Sequence, residues 1–291
     1  MNSDLINTLA NLLTEALAEQ VVVREMQPLS GGCINQAMKL VTNRGAFFVK
    51  WSATGPANLF VREAEALHEL NKASTLLRIP RVVVVRTDPA LLLTTFLEPT
   101  AGLTVEQDEQ LGRGIAEIHR CMHDRYGFHH DNYCGATRQD NRWNSDWVNF
   151  YGQQRIGHLL RLLEQKRGLE KSERKAYERL TNRLPQLIGH APLPVLNHGD
   201  LWSGNYMYSV SGPALIDPAC SYGDREGDLA LMAMFGGFSK RVWEAYQEAY
   251  PLPAGWQERQ ALYQLYHYLN HDYLFGGGYG RQALTIAQQY Q

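Results

Sequence analysis

Eight residues, His198-Gly199-Asp200-Leu201-Trp202-Ser203-Gly204-Asn205, and the Asp217 that follows them constrain this chain more than any other feature. Between Asn205 and Asp217 the sequence runs through Tyr206-Met207-Tyr208-Ser209, then Ser211-Gly212-Pro213, then Ala214-Leu215-Ile216, which reads as two short strands around a turn. Such a hairpin returns Asp217 to the side of Asn205. Without it the His-x-Asp-x-x-x-x-Asn spacing says little, because Asp and Asn beside Gly are ordinary turn formers. With it, the three side chains suit phosphoryl transfer. Asp200 faces an attacking hydroxyl, while Asn205 and Asp217 reach Mg²⁺ carried by nucleotide phosphates. Mg²⁺ takes hard oxygen ligands and few protein groups.

A site of this kind needs a phosphate-holding element upstream, and the first third of the chain offers one. Leu5, Ile6, Leu9, Leu12, Leu13, Ala16 and Leu17 recur at helical spacing behind Ser3-Asp4, predicting an amphipathic surface helix over residues 3–19. A strand then opens at Val21-Val22-Val23 and runs into Gly31-Gly32-Cys33-Ile34-Asn35; extended character resumes over residues 37–41 and returns after Asn43-Arg44-Gly45 as Ala46-Phe47-Phe48-Val49-Lys50. Glycines let backbone N–H groups approach phosphate oxygens, and Lys50 adds a point charge. Gly31-Gly32 alone fits a plain β-turn equally well; the position of Lys50 one hairpin downstream favours the cradle.

The spacing of Phe60, Val61, Ala64, Leu67 and Leu70 predicts a helix carrying Glu63, Glu65 and Glu69. Glu65 flanks the apolar stripe, at about 100° per residue, and is expected to pair with Lys50. Strands over 82–85 and 91–96 complete a five-stranded unit, and Thr95-Phe96-Leu97-Glu98-Pro99 follows as a linker whose backbone could meet an adenine edge. The expected division is an ATP-binding lobe over 1–96 and a catalytic, substrate-binding lobe over 97–291.

In the second part, Leu111, Ile115, Ile118 and Met122 share a helical face with His119, read as packed or capping. Residues 139–151 concentrate aromatics beside amides, which fits either a helix anchor or one wall of a carbohydrate pocket. Asp228 opens an apolar helix; it either caps backbone N–H groups or supports the loop near His198. The net charge of −2 gives no basic field for nucleic acid or anionic lipid, and no run approaches the ~20 apolar residues of a membrane span. Cys33, Cys121, Cys134 and Cys220 lack Cys-x-x-Cys spacing, which suggests neither a zinc site nor a disulfide framework and fits a cytoplasmic location. Asp4 sits where a signal peptide would carry positive charge.

Leu29-Ser30-Gly31-Gly32-Cys33-Ile34-Asn35, Phe47-Phe48-Val49-Lys50, Glu63-Ala64-Glu65-Ala66, Tyr126-Gly127-Phe128, Asp131-Asn132-Tyr133, Gln139-Asp140-Asn141, the block from His198 to Asn205, Ile216-Asp217-Pro218-Ala219, Tyr222-Gly223-Asp224-Arg225-Glu226-Gly227-Asp228 and Phe235-Gly236-Gly237-Phe238 together resemble the fructosamine kinase (ketosamine-3-kinase) family. The resemblance implies an α+β, two-lobed protein-kinase-like fold: a small N-terminal lobe with a five-stranded antiparallel sheet and a helix, and a larger, mainly helical C-terminal lobe. It implies ATP-dependent phosphorylation, with Mg²⁺, of the 3-hydroxyl of ketosamines, free or on glycated proteins, by a monomer or homodimer. The resulting adduct is unstable, so the amine is regenerated. Asp200 becomes the base, Asn205 and Asp217 the metal ligands, Lys50 the phosphate lysine and Glu65 its partner. Trp202 packs on the sugar, and His198, Asp224 and Arg225 join it on the substrate side.

The chain has no Asp-Phe-Gly or Ala-Pro-Glu element, so a protein hydroxyl is not the expected acceptor. An aminoglycoside or choline-type kinase and a non-catalytic nucleotide-binding module remain as alternatives. Cys33, if exposed beside Lys50 in a Gly loop, is expected to be redox-sensitive, through a disulfide between two chains; the alternative is a small buried space-filler.

Overall fold

The computed structural model describes residues 3–29, 36–100 and 104–290. The Gly-rich candidates Gly31, Gly32, Cys33, Ile34 and Asn35 lie outside the described residues.

The first element is helix α1 (Ser3–Leu17), and its Leu9 and Leu13 are buried against a sheet. That sheet comprises β1 (Val23–Pro28), β2 (Gln36–Thr42), β3 (Gly45–Trp51), β4 (Val82–Thr87) and β5 (Ala90–Thr95), all antiparallel in the order β1-β2-β3-β5-β4. Alternation decides the faces. Leu40, Phe47, Val49, Leu91 and Leu93 point towards α1 and share its apolar cluster. Helix α2 (Leu59–Ala73) instead sends Phe60, Ala64, Leu67 and Leu70, at three- and four-residue spacing, into a cluster that also contains Leu92.

The remaining chain is mainly helical, with short strands that position loops. Helix α3 (Val105–Ile118) begins with a reciprocal capping box, in which the Thr104 hydroxyl accepts from the Gln107 N–H and the Gln107 side chain accepts from the Thr104 N–H. There follow β6 (Asn132–Cys134), β7 (Thr137–Gln139), the turn α4 (Trp147–Asn149), a π-helix over Phe150–Ile156, α5 (Gly157–Arg167) and α6 (Lys171–Ile188). Next come β8 (Val195–Asn197), β9 (Tyr206–Ser209), β10 (Gly212–Leu215), β11 (Ser221–Gly223), α7 (Glu226–Phe235), α8 (Lys240–Ala249), α9 (Trp256–Phe275) and α10 (Tyr279–Gln289). Strand β9 pairs with β10, and β8 with β11, both antiparallel.

One apolar cluster joins α2 of the small lobe to α3, α7 and α8 and includes Leu201, Leu215 and Cys220 from the segment around the motif. A second packs the π-helix, α5, α6, α9 and α10. The lobes are also stitched by backbone: Arg78 donates from its N–H to the Pro213 carbonyl (2.8 Å) and accepts from the Leu215 N–H (3.2 Å). The short connection between α2 and β4 is thereby bonded to the hairpin β9–β10. Among the described residues no helix is long and apolar enough to cross a membrane.

Candidate active site

The expected hairpin forms. Tyr206 pairs with Leu215, and the Ile216 N–H donates to the Asn205 carbonyl at 3.0 Å, so Asp217 emerges beside Asn205. The Asn205 amide donates both to the Asp200 carbonyl (2.8 Å) and to its carboxylate (2.9 Å). Its NH₂ is thereby used, leaving the amide oxygen as the available donor atom. Asp217 has φ +54°, in the left-handed region that a β-carbon disfavours. Such strain persists only where the surroundings enforce it.

Lys50 reaches this point from β3. It is 4% exposed, and its ammonium donates to Asp217 at 2.8 Å and lies 2.5 Å from Glu63. Burial alone would lower the pKa of the amine, but the carboxylates of Asp217 and Glu63 more than offset it and hold the group above the usual lysine range. Lys50 is therefore a fixed cation.

The expected partner, Glu65, is corrected to Glu63. Glu65 instead binds the Arg62 guanidinium (2.6 and 2.8 Å) and His130 (3.2 Å). Glu63 lies three residues after Phe60 and four before Leu67, which puts it inside the apolar stripe of α2 and under the sheet. The sequence signal for this partner is an acid set within the apolar face of the helix.

The loop is held from below. Asp228, 2% exposed at the start of α7, accepts from the His198 N–H (2.6 Å) and the Gly199 N–H (2.8 Å), and His119 lies 3.2 Å from the same carboxylate. His119 in turn meets the Tyr246 hydroxyl at 2.8 Å. Burial would push the Asp228 carboxyl up, but His119 and these N–H donors hold it below its ordinary value. Gly199 has φ +81°, and a β-carbon there would meet the Ala219 carbonyl oxygen at 2.1 Å, so only glycine fits.

His198, expected on the substrate side, is 1% exposed. Its Nε2 faces the Ile216 carbonyl (3.0 Å), so this nitrogen carries the proton, and Nδ1 accepts from the Asp200 N–H (3.3 Å). The ring cross-links the two halves of the motif. Asp224 and Arg225 are likewise corrected to internal braces. Asp224, 3% exposed, accepts from the Tyr263 hydroxyl (2.6 Å), the Glu226 N–H (3.0 Å) and His190 (2.9 Å). Arg225 donates to the Tyr250 and Pro251 carbonyls and stacks on the Tyr250 ring. A charged side chain with its bonds closed inside the fold is not available to a sugar.

Trp202 faces outward, 37% exposed, edge-to-face with Phe235 at 6.1 Å. Its indole lies over Gly204, where a β-carbon would meet the ring at 2.3 Å. In the linker, Phe96 sits under the Lys39 ammonium (4.3 Å), Glu98 binds Lys39 (2.8 Å), and the Glu98 carbonyl accepts from the Val210 N–H. Leu97 is half-buried between them.

Of the two readings of residues 139–151, the structure takes the anchor: Trp147, Phe150 and Tyr151 are buried among α6, α9 and α10. Gln139 and Asn141 donate to Asn132, which donates to the Cys220 carbonyl behind the loop.

Asp200 is half-buried, and burial pushes its carboxyl up to about 7, opposed by the Asn205 hydrogen bond and reinforced by the charges of Asp217 and Asp228. A carboxylate poised near neutrality is well matched to accepting a hydroxyl proton.

With this geometry in view, comparison with known proteins is informative. The fructosamine kinase family profile matches residues 5–291. A "Probable ketoamine kinase" of Lactiplantibacillus plantarum is 37% identical over 92% of this chain and 95% of its own length. A chloroplastic protein-ribulosamine 3-kinase of Arabidopsis thaliana is 37% identical over 96% of this chain and 86% of its own. Among solved structures, a "putative fructosamine-3-kinase" of Thermobifida fusca superposes with a TM-score of 0.88 at 31% identity, covering 98% of this chain and 99% of the other. An ADP-bound aminoglycoside phosphotransferase, with a TM-score of 0.63 at 16% identity over 96% of this chain and 98% of its own, shares the fold alone.

Proposed function

The chain belongs to the fructosamine kinase family and is an ATP-dependent ketosamine 3-kinase, and on that premise we propose how its own residues divide the work. Asp200 is the general base that takes the proton of the sugar 3-hydroxyl. Lys50, aligned by Glu63, holds the phosphates. Trp202 offers its exposed face to the sugar. The Asn205 amide oxygen and the Asp217 carboxylate fit Mg²⁺, because both are hard oxygen donors and few of them are present, as that ion prefers. When bound, Mg²⁺ neutralises charge on the nucleotide phosphates. The remaining work falls to the protein: Asn205 orients Asp200, and Lys50 and Asp217 hold each other at the same point.

The observation that carries this reading is that Lys50 and Asp217, 167 positions apart, bond at 2.8 Å, while Asn205 bonds Asp200 at 2.9 Å and the Ile216 N–H, next to Asp217, bonds the Asn205 carbonyl at 3.0 Å. Phosphorylation at the 3-hydroxyl makes the adduct labile, so release of the free amine, a deglycation, follows. Cys121, Cys134 and Cys220 are free thiols, which supports a reducing, cytoplasmic setting. The acceptor is a free or protein-bound ketosamine.

The test is ATP consumption with fructosyl-lysine and ribulosyl-lysine, with the phosphorylated sugar identified as product. Turnover is expected with at least one, and D200N should lower kcat by about 10²- to 10⁴-fold. An undiminished D200N enzyme would remove Asp200 from the mechanism. ATP binding with no phosphorylated ketosamine would favour the non-catalytic module.

A further inference from the structure

Beside the proposed base, Asp200, lie two side chains that phosphoryl transfer does not use. Cys134 at the end of β6, His267 in α9 and Asp200 in the catalytic loop each place one ligating atom within 4.8 Å of the other two. They come from three separate elements, so no Cys-x-x-Cys or His-x-x-x-Cys spacing announces them. We propose that Cys134, His267 and Asp200 form an inhibitory Zn²⁺ site, in which the ion captures the carboxylate that would otherwise accept the hydroxyl proton.

The donor set selects the ion. One sulfur, one imidazole nitrogen and one carboxylate oxygen form a mixed set that Zn²⁺ binds with tetrahedral geometry. Thiolate and imidazole are poor ligands for Mg²⁺, so the magnesium that accompanies ATP does not compete here. Bonds of about 2.0–2.3 Å put tetrahedral ligands roughly 3.3–3.8 Å apart. The separations, none above 4.8 Å, therefore need to close by no more than roughly 1.5 Å. His267 also borders a cavity of about 50 Å³ behind the loop.

A second, independent observation points to a missing ligand. His267 is 4% exposed, and its Nδ1 has no hydrogen-bond partner. Buried polar atoms are almost always paired, and an orphan marks a place where a water or an ion belongs. The Cys134 sulfur has an outer partner: Asn270 donates to it at 3.3 Å, as groups that steady a thiolate do. Asp200 is the half-buried member, and it provides the way in from the cleft. Binding forms S–Zn, N–Zn and O–Zn bonds and releases the Cys134 thiol proton to solvent. No electron moves.

Binding is read first without reference to catalysis, so the outcome is separate from that of the kinase assignment. Co²⁺ added alone should give a thiolate-to-metal charge-transfer band in the near ultraviolet, displaced by one equivalent of Zn²⁺. The band should persist in C33S and vanish in C134S. With saturating Mg²⁺-ATP and ketosamine, buffered free Zn²⁺ should inhibit, and the inhibition constant should rise by about 10- to 100-fold in C134S and in H267Q, with activity in the absence of zinc retained. Two outcomes overturn the proposal: a cobalt spectrum without a sulfur band, or zinc inhibition that is equal in the wild type and C134S and is relieved by raising Mg²⁺, which would place the zinc on Asn205 and Asp217. Should C134S fold poorly, H267Q and C134A with circular dichroism as a fold check carry the same comparison.

Discussion

The two faces of the catalytic loop are built on opposite plans. Below it, the His198 and Gly199 N–H groups, Asp228, His119 and Tyr246 form a buried polar chain in which each link meets the next. Above it, Trp202 and Phe235 are exposed at 37% and 40%, and Gly236 and Gly237 follow with φ of +66° and +87°. The underside closes its own bonds and fixes the loop, whereas the upper face leaves aromatic surface open, where the proposed sugar contact lies.

That contrast can be broken by substitution, and the underside should yield the largest effects. D228A strands two buried N–H donors and removes a buried charge, so it should cost about 3–5 kcal/mol of unfolding free energy, read by urea denaturation. A loss under about 1 kcal/mol would mean that the loop holds itself. G199A adds left-handed strain and a clash with the Ala219 carbonyl, and should cost about 2–4 kcal/mol with a parallel fall in kcat. Full activity in G199A would show that the Gly199 backbone can relax.

The two glutamates of α2 sharpen the comparison inside the small lobe. E63Q should raise KM for ATP several-fold, whereas E65Q should leave it unchanged; the reverse would restore Glu65 as the partner of Lys50. The pH profile addresses the base. Because burial raises the Asp200 carboxyl to about 7, the ionised form is lost as pH falls, and kcat/KM should drop tenfold per unit below that value. A rate flat to pH 5 would contradict that position. On the upper face, W202A should raise KM for the ketosamine while changing stability by no more than about 0.5 kcal/mol.

Much of this was readable from the chain because it rests on local rules. The hairpin that joins Asn205 to Asp217, the five strands and the Lys50 position follow from alternation, turn residues and spacing, while Asp228 stays open between a helix cap and a loop support until the fold shows its bonds to the His198 and Gly199 N–H groups. What escaped depends on distant partners. Flanking the stripe points to Glu65, whereas the acid that lies inside it, Glu63, meets a lysine that only the fold brings in from β3. Asp224, Arg225 and His198 look like substrate groups in a list of polar residues near the motif, and only the fold shows that Tyr263, Tyr250 and Ile216 have already claimed them. Cys134 and His267 stand 133 positions apart, and nothing in either neighbourhood signals the other.

The Arg78 backbone pair with the hairpin β9–β10 has a mechanical consequence. It ties the connection between α2 and β4 to the strand that delivers Asp217, so Lys50 and Asp217 are carried by parts of the chain that are themselves bonded to one another, and their 2.8 Å contact is anchored on both sides.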